Sequence, residues 1–532
     1  MALIDRVARL FDKWRDESCP GVALGLSEDG GAHWSDLFAG QADLAHSRPI
    51  GPDSVFHYCS ISKLLTAAAF ARLSHEGRID LNAPITDSLP DLADASDITL
   101  RGLLNMTAGL QDSEEVLCQA NMLMRMPGAD RTWLAHGTGN RHRAFPAGTA
   151  TSYTNLHYIL ASEILRRHCA TDFQTAIDTL VLEPIGAKGV SLRSDPRIVT
   201  PALARGYVPL GQGFRDGLAF GFLGGGGFTG RLGQLQAFLS AFARDDLAGA
   251  PIRTLMQGRA ILKHGTATNY GLGCFIHDWR GVMVLGHNGG MPGYKTWAAF
   301  VPELDLAIAF LSNRDDAQSS QHLRAIIDIA LVDRANVPSR PGLRRDDRAR
   351  LAAFEGEWVD SVTADHFTLT VEERYIALNR LGFPSRLRAA TDGSYADDWF
   401  TYTTRLTLED AESIHLSTHG EPARRYTRAT PQTGTPDDLV GAYFAPDHGL
   451  RQMIFPVDGR LMLSLCRNPW TGQVFPMRPL GNDCWAISQS RDGIALRRGI
   501  KVLRDATGTV TGLRFRGARL HRLDMFRDRM DE

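Results

Sequence analysis

From Pro20 onward apolar and polar positions alternate through Val22, Ala23 and Leu24, break at Glu28-Asp29-Gly30-Gly31, and resume from His33 to Gly40. A period of two on either side of a Gly-containing turn predicts a β-hairpin. The period then changes. Residues 62–73 are apolar, rich in alanine and free of Gly and Pro, which predicts a buried helix. Further helices are expected near 154–168, 172–182, 231–243 and 319–333. Residues 281–286, 296–301 and 306–311 read as three successive strands joined by Gly/Pro turns. Helices inserted between the two ends of one antiparallel sheet make the fold class α+β. Ahead of the hairpin, residues 1–20 read as an amphipathic helix.

The pattern changes again near Asn336. Pro338, Pro341 and the cluster Arg344, Arg345, Asp346, Asp347, Arg348 read as an exposed linker. Beyond it, short strand-like pieces alternate with turn residues. Two stretches there open alike, Phe354-Glu355-Gly356-Glu357-Trp358 and Leu439-Val440-Gly441-Ala442-Tyr443, with Pro431 to Pro436 between them. The expected layout is a first domain over 1–335, a linker over 336–350, a β-barrel domain over 351–430, a second linker over 431–437 and a second β-barrel domain over 438–532. A single irregular β domain after the first linker is the alternative reading.

Composition narrows the partners. A chain of 532 residues with 43% hydrophobic and 22% charged residues has the makings of several folded domains. Its formal net charge is −2 and it has no long basic run, so neither nucleic acid nor an acidic membrane is expected as a partner. No stretch of about 18 uncharged apolar residues suggests a membrane span. The first twenty residues carry no apolar export segment, and the seven cysteines are scattered without metal-type spacing. A cytoplasmic protein with reduced thiols is the expectation.

Three short motifs carry candidate chemistry. Ser60-Ile61-Ser62-Lys63 stands at the start of the Ala-rich helix, where residues i and i+3 share a face. A serine becomes a useful nucleophile when a neighbouring base takes its proton, and a lysine with a depressed pKa is such a base. A serine cap followed by a surface lysine would look the same. Yet the chain has only six lysines, and this is its only Ser-x-x-Lys. Tyr153-Thr154-Asn155 lies just before another helix. Its phenol could relay protons and its amide could meet a substrate amide; a plain turn is the alternative. His287-Asn288-Gly289-Gly290 follows the strand-like residues 282–285. Glycines there would let a substrate lie along the strand edge, with a main-chain N–H completing an oxyanion hole alongside that of Ser60. His75-Glu76-Gly77 has the same His-x-Gly spacing but reads as a helix stop.

Ser-x-x-Lys, Tyr-x-Asn and His-x-Gly, in that order on a helix start, a loop and a strand, resemble the pattern of the penicillin-recognising serine hydrolases. The connecting text is similar too, in Ile98-Thr99-Leu100-Arg101-Gly102-Leu103-Leu104-Asn105-Met106-Thr107-Ala108-Gly109-Leu110, in Phe145-Pro146-Ala147-Gly148 and in Glu183-Pro184-Ile185-Gly186. The resemblance covers about residues 20 to 330. It implies a β-lactamase-like catalytic domain in which Ser60 is acylated, Lys63 and Tyr153 move protons, and Asn155, His287, Gly289 and Gly290 bind substrate or form the oxyanion hole.

The third motif discriminates among relatives. β-Lactamases and DD-carboxypeptidases use a permanent cation there, whereas His287 is mostly neutral near pH 7 if unperturbed. That points toward amide or ester substrates with handles other than a free carboxylate. With two barrels behind the catalytic domain, the chain resembles the bacterial D-aminopeptidases end to end. The resemblance implies release of N-terminal D-residues from peptides, amides and esters, no metal or organic cofactor, a homodimer, and β-lactams as possible inhibitors. It also implies an aspartate on a loop of the last barrel that meets the substrate's amino group. Asp492, in the stretch 488–496, is the candidate, and Asp483 competes with it. An esterase or amidase without D-preference, a β-lactamase or DD-carboxypeptidase, and a non-catalytic penicillin-binding relative are the alternatives.

Overall fold

The computed structural model describes residues 2–15, 18–119, 143–217, 223–332, 334, 345–390, 392–397, 404–418, 421–430, 436–466, 473–491, 494–517 and 519–528. The chain divides into two compact units. The first holds most of the N-terminal half, and the second holds both C-terminal barrels together with the stretches 109–119 and 143–154.

The first unit is built on a six-stranded antiparallel sheet in the order Phe275–Trp279, Val282–Met291, Tyr294–Val301, Leu306–Ser312, Val22–Ser27, Ser35–Ala39. Strands from the two ends of this half pair in the middle, with Val22 opposite Ser312 and Ser27 opposite Ala307. The hairpin expected at the start is present, with Val22 paired to Ala39. Helices Leu232–Arg244 and Ser319–Leu331 bury residues at helical spacing, among them Leu235, Phe238, Leu239 and Phe242 in the former. Helix Ser62–His75 is buried along nearly its whole length, so its uniformly apolar sequence matches a core position. Gly77, in the left-handed region at φ 68°, follows this helix just beyond its C-cap Glu76.

Four expectations need adjustment. The N-terminal helix is shorter than residues 1–20: an α-helix over Leu3–Ala8 passes into a 3-10 helix over Arg9–Trp14, because only Leu3, Val7 and Phe11 find a core to pack against. The helix expected at 172–182 is α only over Phe173–Ile177 and widens to a π turn over Asp178–Leu182. Residues Arg345–Leu351, in the stretch read as linker, form a helix. The strand before the third motif does not end at residue 285 but runs on to Met291, so His287 to Gly290 lie inside it.

In the second unit two eight-stranded antiparallel barrels follow each other. The first closes where the strand Gly356–Val359 meets Arg424–Arg428, with Trp358 opposite Arg428. The second closes where Gly441–Ala445 meets Leu523–Arg527, with Tyr443 opposite Arg527. The like openings seen in sequence become like devices. Trp358 Nε1 donates to the Phe354 carbonyl at 3.0 Å, and the Tyr443 hydroxyl donates to the Leu439 carbonyl at 2.8 Å. Arg428 donates to the carbonyls of Glu355 and Ala353, and Arg527 to those of Val440 and Asp438, in matching positions before Gly356 and Gly441. Among the described residues no helix is long and apolar enough to cross a membrane.

Candidate active site

The short strand Phe56–His57 pairs with Phe228–Gly230 and leads into a 3-10 turn over Cys59–Ile61, after which the α-helix starts at Ser62. Ser60 therefore sits in the turn rather than in the helix itself. Cys59 has φ 53°, a left-handed conformation that costs a non-glycine residue about 1 kcal/mol or more. Its surroundings enforce that conformation. His57 Nδ1 accepts the Cys59 N–H at 3.1 Å, and the Ser62 hydroxyl donates to the Cys59 carbonyl at 2.7 Å while accepting the Phe228 N–H at 3.1 Å. The Thr296 hydroxyl donates to the Tyr58 carbonyl at 3.0 Å. Burial pushes the His57 imidazole down to about 3, with Arg193 adding to the shift. It thus stays neutral, and its Nδ1 lone pair remains available to Cys59. Burial also pushes the Cys59 thiol up to about 12, which keeps it inert beside the serine.

Lys63 is wholly buried one turn above Ser60. Its Nζ donates to Asn155 Oδ1 at 2.7 Å, to the Gly225 carbonyl, and to Ser60 Oγ at 3.3 Å. The ammonium also lies 5.6 Å from the centre of the Tyr158 ring. These contacts give the buried ammonium acceptors in place of water, which is what a buried cation requires.

The third motif packs against the Ser60 turn through Gly289. A Cβ there would stand 2.3 Å from Thr296 Oγ1 and 2.7 Å from both Cys59 Cβ and the Tyr58 carbonyl oxygen, so only glycine lets the strand approach this closely. Gly290 is different, since the nearest atom to an added Cβ is Lys295 Cδ at 3.6 Å. His287 is fully buried between Phe275, at 4.6 Å between ring centres, and Tyr270. Its Nδ1 meets the Asn288 carbonyl, which only accepts, so Nδ1 carries the proton and Nε2 accepts the Tyr270 hydroxyl at 3.0 Å. Burial holds the His287 imidazole well below its ordinary range, and the Lys63 ammonium pushes it the same way. The neutral third-motif side chain expected from sequence follows from this environment.

The first unit therefore brings Ser60, Lys63 and Asn155 into one hydrogen-bonded cluster and sets Gly289 against the same turn. Tyr153 belongs to the second unit, where it is 8% exposed and the Arg519 guanidinium lies 4.9 Å from its ring centre. Asp492 lies outside the described residues. Its competitor Asp483 is taken up by Arg504, at 3.0 Å. Sequence reading missed His57, Gly225, Tyr270, Thr296 and Lys295. The run Gly224-Gly225-Gly226-Gly227 was a visible signal for a backbone approaching the site; the others carried none. Lys295 faces Gly290 across the strand pair and binds Asp315 at 2.6 Å, placing a fixed cation one strand away from the motif.

A family model described as Beta-lactamase matches residues 6–331. The chain belongs to the beta-lactamase family. The match spans the sheet, the Ser60 turn and the His287 strand, and bears out the resemblance read from the three motifs. Across the whole chain it is similar to a D-aminopeptidase of Cereibacter sphaeroides, 24% identical over 514 residues that cover 93% of each protein. The crystal structure of SurE matches its fold over 99% of each chain at a TM-score of 0.53 and 20% identity. The D-amino acid amidase from Ochrobactrum anthropi SV3, complexed with D-phenylalanine, matches 62% of this chain and 98% of its own at a TM-score of 0.52 and 20% identity.

Proposed function

We propose that this member of the beta-lactamase family is a serine hydrolase that releases N-terminal D-amino acids, D-alanine-like, from peptides, amides and esters through an acyl-enzyme on Ser60. The observation that carries this reading is the set of partners around Lys63. Asn155 Oδ1 and the Gly225 carbonyl only accept hydrogen bonds, so they hold two N–H groups of the side chain in either protonation state. A neutral amine has two N–H groups and one lone pair. With both N–H groups held, the lone pair points along the third direction, to the Ser60 hydroxyl 3.3 Å away. Lys63 is thereby oriented to take the serine proton as the oxygen attacks the carbonyl of the substrate's first residue.

In this mechanism the main-chain N–H groups of Ser60 and Gly290 hold the oxyanion. Tyr153 passes a proton to the departing amine; a water molecule then cleaves the acyl-enzyme, losing its proton to the Tyr153 oxygen while Lys63 returns its proton to Ser60. His287 acts as a neutral wall of the site. Selectivity for D-residues is supported by the relatives named D-aminopeptidase and D-amino acid amidase.

Kinetics with D- and L-alanine p-nitroanilide, a p-nitrophenyl ester, nitrocefin and a peptide ending in D-Ala-D-Ala test the assignment. D-alanine p-nitroanilide is expected to turn over fastest, and Ser60→Ala is expected to lose at least three orders of magnitude in kcat/KM. Ser60→Ala activity within tenfold of wild type contradicts covalent catalysis at this residue. Equal rates for the D- and L-substrates contradict the stereochemical half of the proposal.

A further inference from the structure

Tyr153 is followed by the helix Asn155–Cys169 but preceded by chain that packs into the second barrel. Val116, on the helix Ser113–Gln119, is buried in that barrel's apolar core with Tyr443, Leu463 and Leu513. The Gln111 side-chain amide donates to the Arg522 carbonyl, and the buried Arg498 pairs with Glu115. The Phe145 ring meets His521 edge-on, with ring centres 5.4 Å apart. Two of these partners, Arg522 and His521, belong to the turn between the last two strands, Val510–Arg516 and Leu523–Arg527. The same turn supplies Arg519, which lies over the Tyr153 ring and pairs with Glu114 at 3.5 Å.

We infer that Arg519 is a positioning residue for Tyr153: its guanidinium fixes the plane of the phenol ring and favours the phenolate. This inference rests on the proposed role of Tyr153 as a proton carrier. A cation over an aromatic face is attracted by the ring's electron density, and more strongly once the hydroxyl has lost its proton and charge spreads into the ring. On the stretches of chain before Tyr153 the described charged residues are Asp112, Glu114, Glu115 and Arg143. Arg519 faces the ring directly, Glu114 draws off part of its charge, Glu115 is neutralised by Arg498, and His521 lies 3.7 Å from Glu421. The turn between the last two strands thus tunes the tyrosine of the second motif.

The full chain and its variants are assayed with D-alaninamide from pH 5 to 10, with the thermal midpoint of each variant recorded. Arg519→Gln is expected to move the alkaline limb of kcat/KM, where Tyr153 loses the proton it donates, upward by about one pH unit. Glu114→Gln, which removes one counter-charge of the guanidinium, is expected to move the limb the opposite way, by about half a unit. Opposite shifts from two partners of one ion pair are not what a purely structural contact gives. Profiles that superpose on wild type, or that shift in the same direction, overturn the inference; should Arg519→Gln not fold, the direction of the Glu114→Gln shift decides alone. Tyr153→Phe tests the underlying reading separately, because near wild-type activity in that variant removes the proton carrier itself.

Discussion

Adding one methyl group at Gly289 and one at Gly290 should have very different consequences. In Gly289→Ala the new Cβ would lie 2.3 Å from Thr296 Oγ1 and 2.7 Å from the Tyr58 carbonyl oxygen. The Thr296 hydroxyl cannot swing away without giving up its 3.0 Å hydrogen bond to that carbonyl. Overpacking and the lost bond together come to roughly 2–4 kcal/mol. The chain relieves this by moving the strand away from the turn or by rotating the turn that carries Ser60. Either way Ser60 and the proposed oxyanion donors separate, and a misplacement of about 1 Å costs on the order of a hundredfold. In Gly290→Ala the Cβ meets Lys295 Cδ at an ordinary 3.6 Å and the main-chain N–H is retained, so activity should stay within about threefold. The assay is kcat/KM for D-alanine p-nitroanilide, with the thermal midpoint as a control; Gly289→Ala should also lose several degrees. Equal losses in the two variants, or a Gly289→Ala enzyme as active as wild type, would refute the close-approach reasoning.

Two stability predictions follow from buried charge. Asp365 is fully buried against Arg380, whose Nε donates at 3.0 Å, and Arg516, whose Nε lies 3.4 Å away. Asp365→Asn strands two guanidinium groups and should cost about 3–5 kcal/mol in urea unfolding, whereas a loss below about 1 kcal/mol would contradict the network's role. The second concerns pH. Native His57 and His287 refuse protons that the unfolded chain takes up below about 6.5, so stability should fall as pH drops through that value, by up to ~1.4 kcal/mol per unit for each. Asp365 is held below the ordinary carboxylate range by Arg380 and Arg516 against the cost of burial, so its stabilisation persists down to about 3.8 and fades only below it. Unfolding midpoints that are flat between pH 7 and 5 would contradict the two buried neutral imidazoles.

Much of the molecule was legible in one dimension. The hairpin at Val22, the buried helix after Ser60, the three late strands and the two barrels all follow from local period and turn residues, because each element must present one face to a core. The Ser60–Lys63 pair was equally legible, since a helical turn fixes the relation of residues three apart. What sequence could not supply was any relation between residues far apart in the chain. The Gly225 carbonyl and Asn155 reach Lys63 from 162 and 92 positions away, and only that meeting aims the lysine's third direction at the serine. The protonation of His287 was guessed from an unperturbed value, but burial and Lys63 are what hold it neutral. The stretch before Tyr153 looked like part of the first domain, yet Val116 is buried in the core of the second barrel, because apolar side chains join whichever core the folded chain brings within reach. Local pattern determined which elements form; packing between distant segments decided which chemistry they can perform.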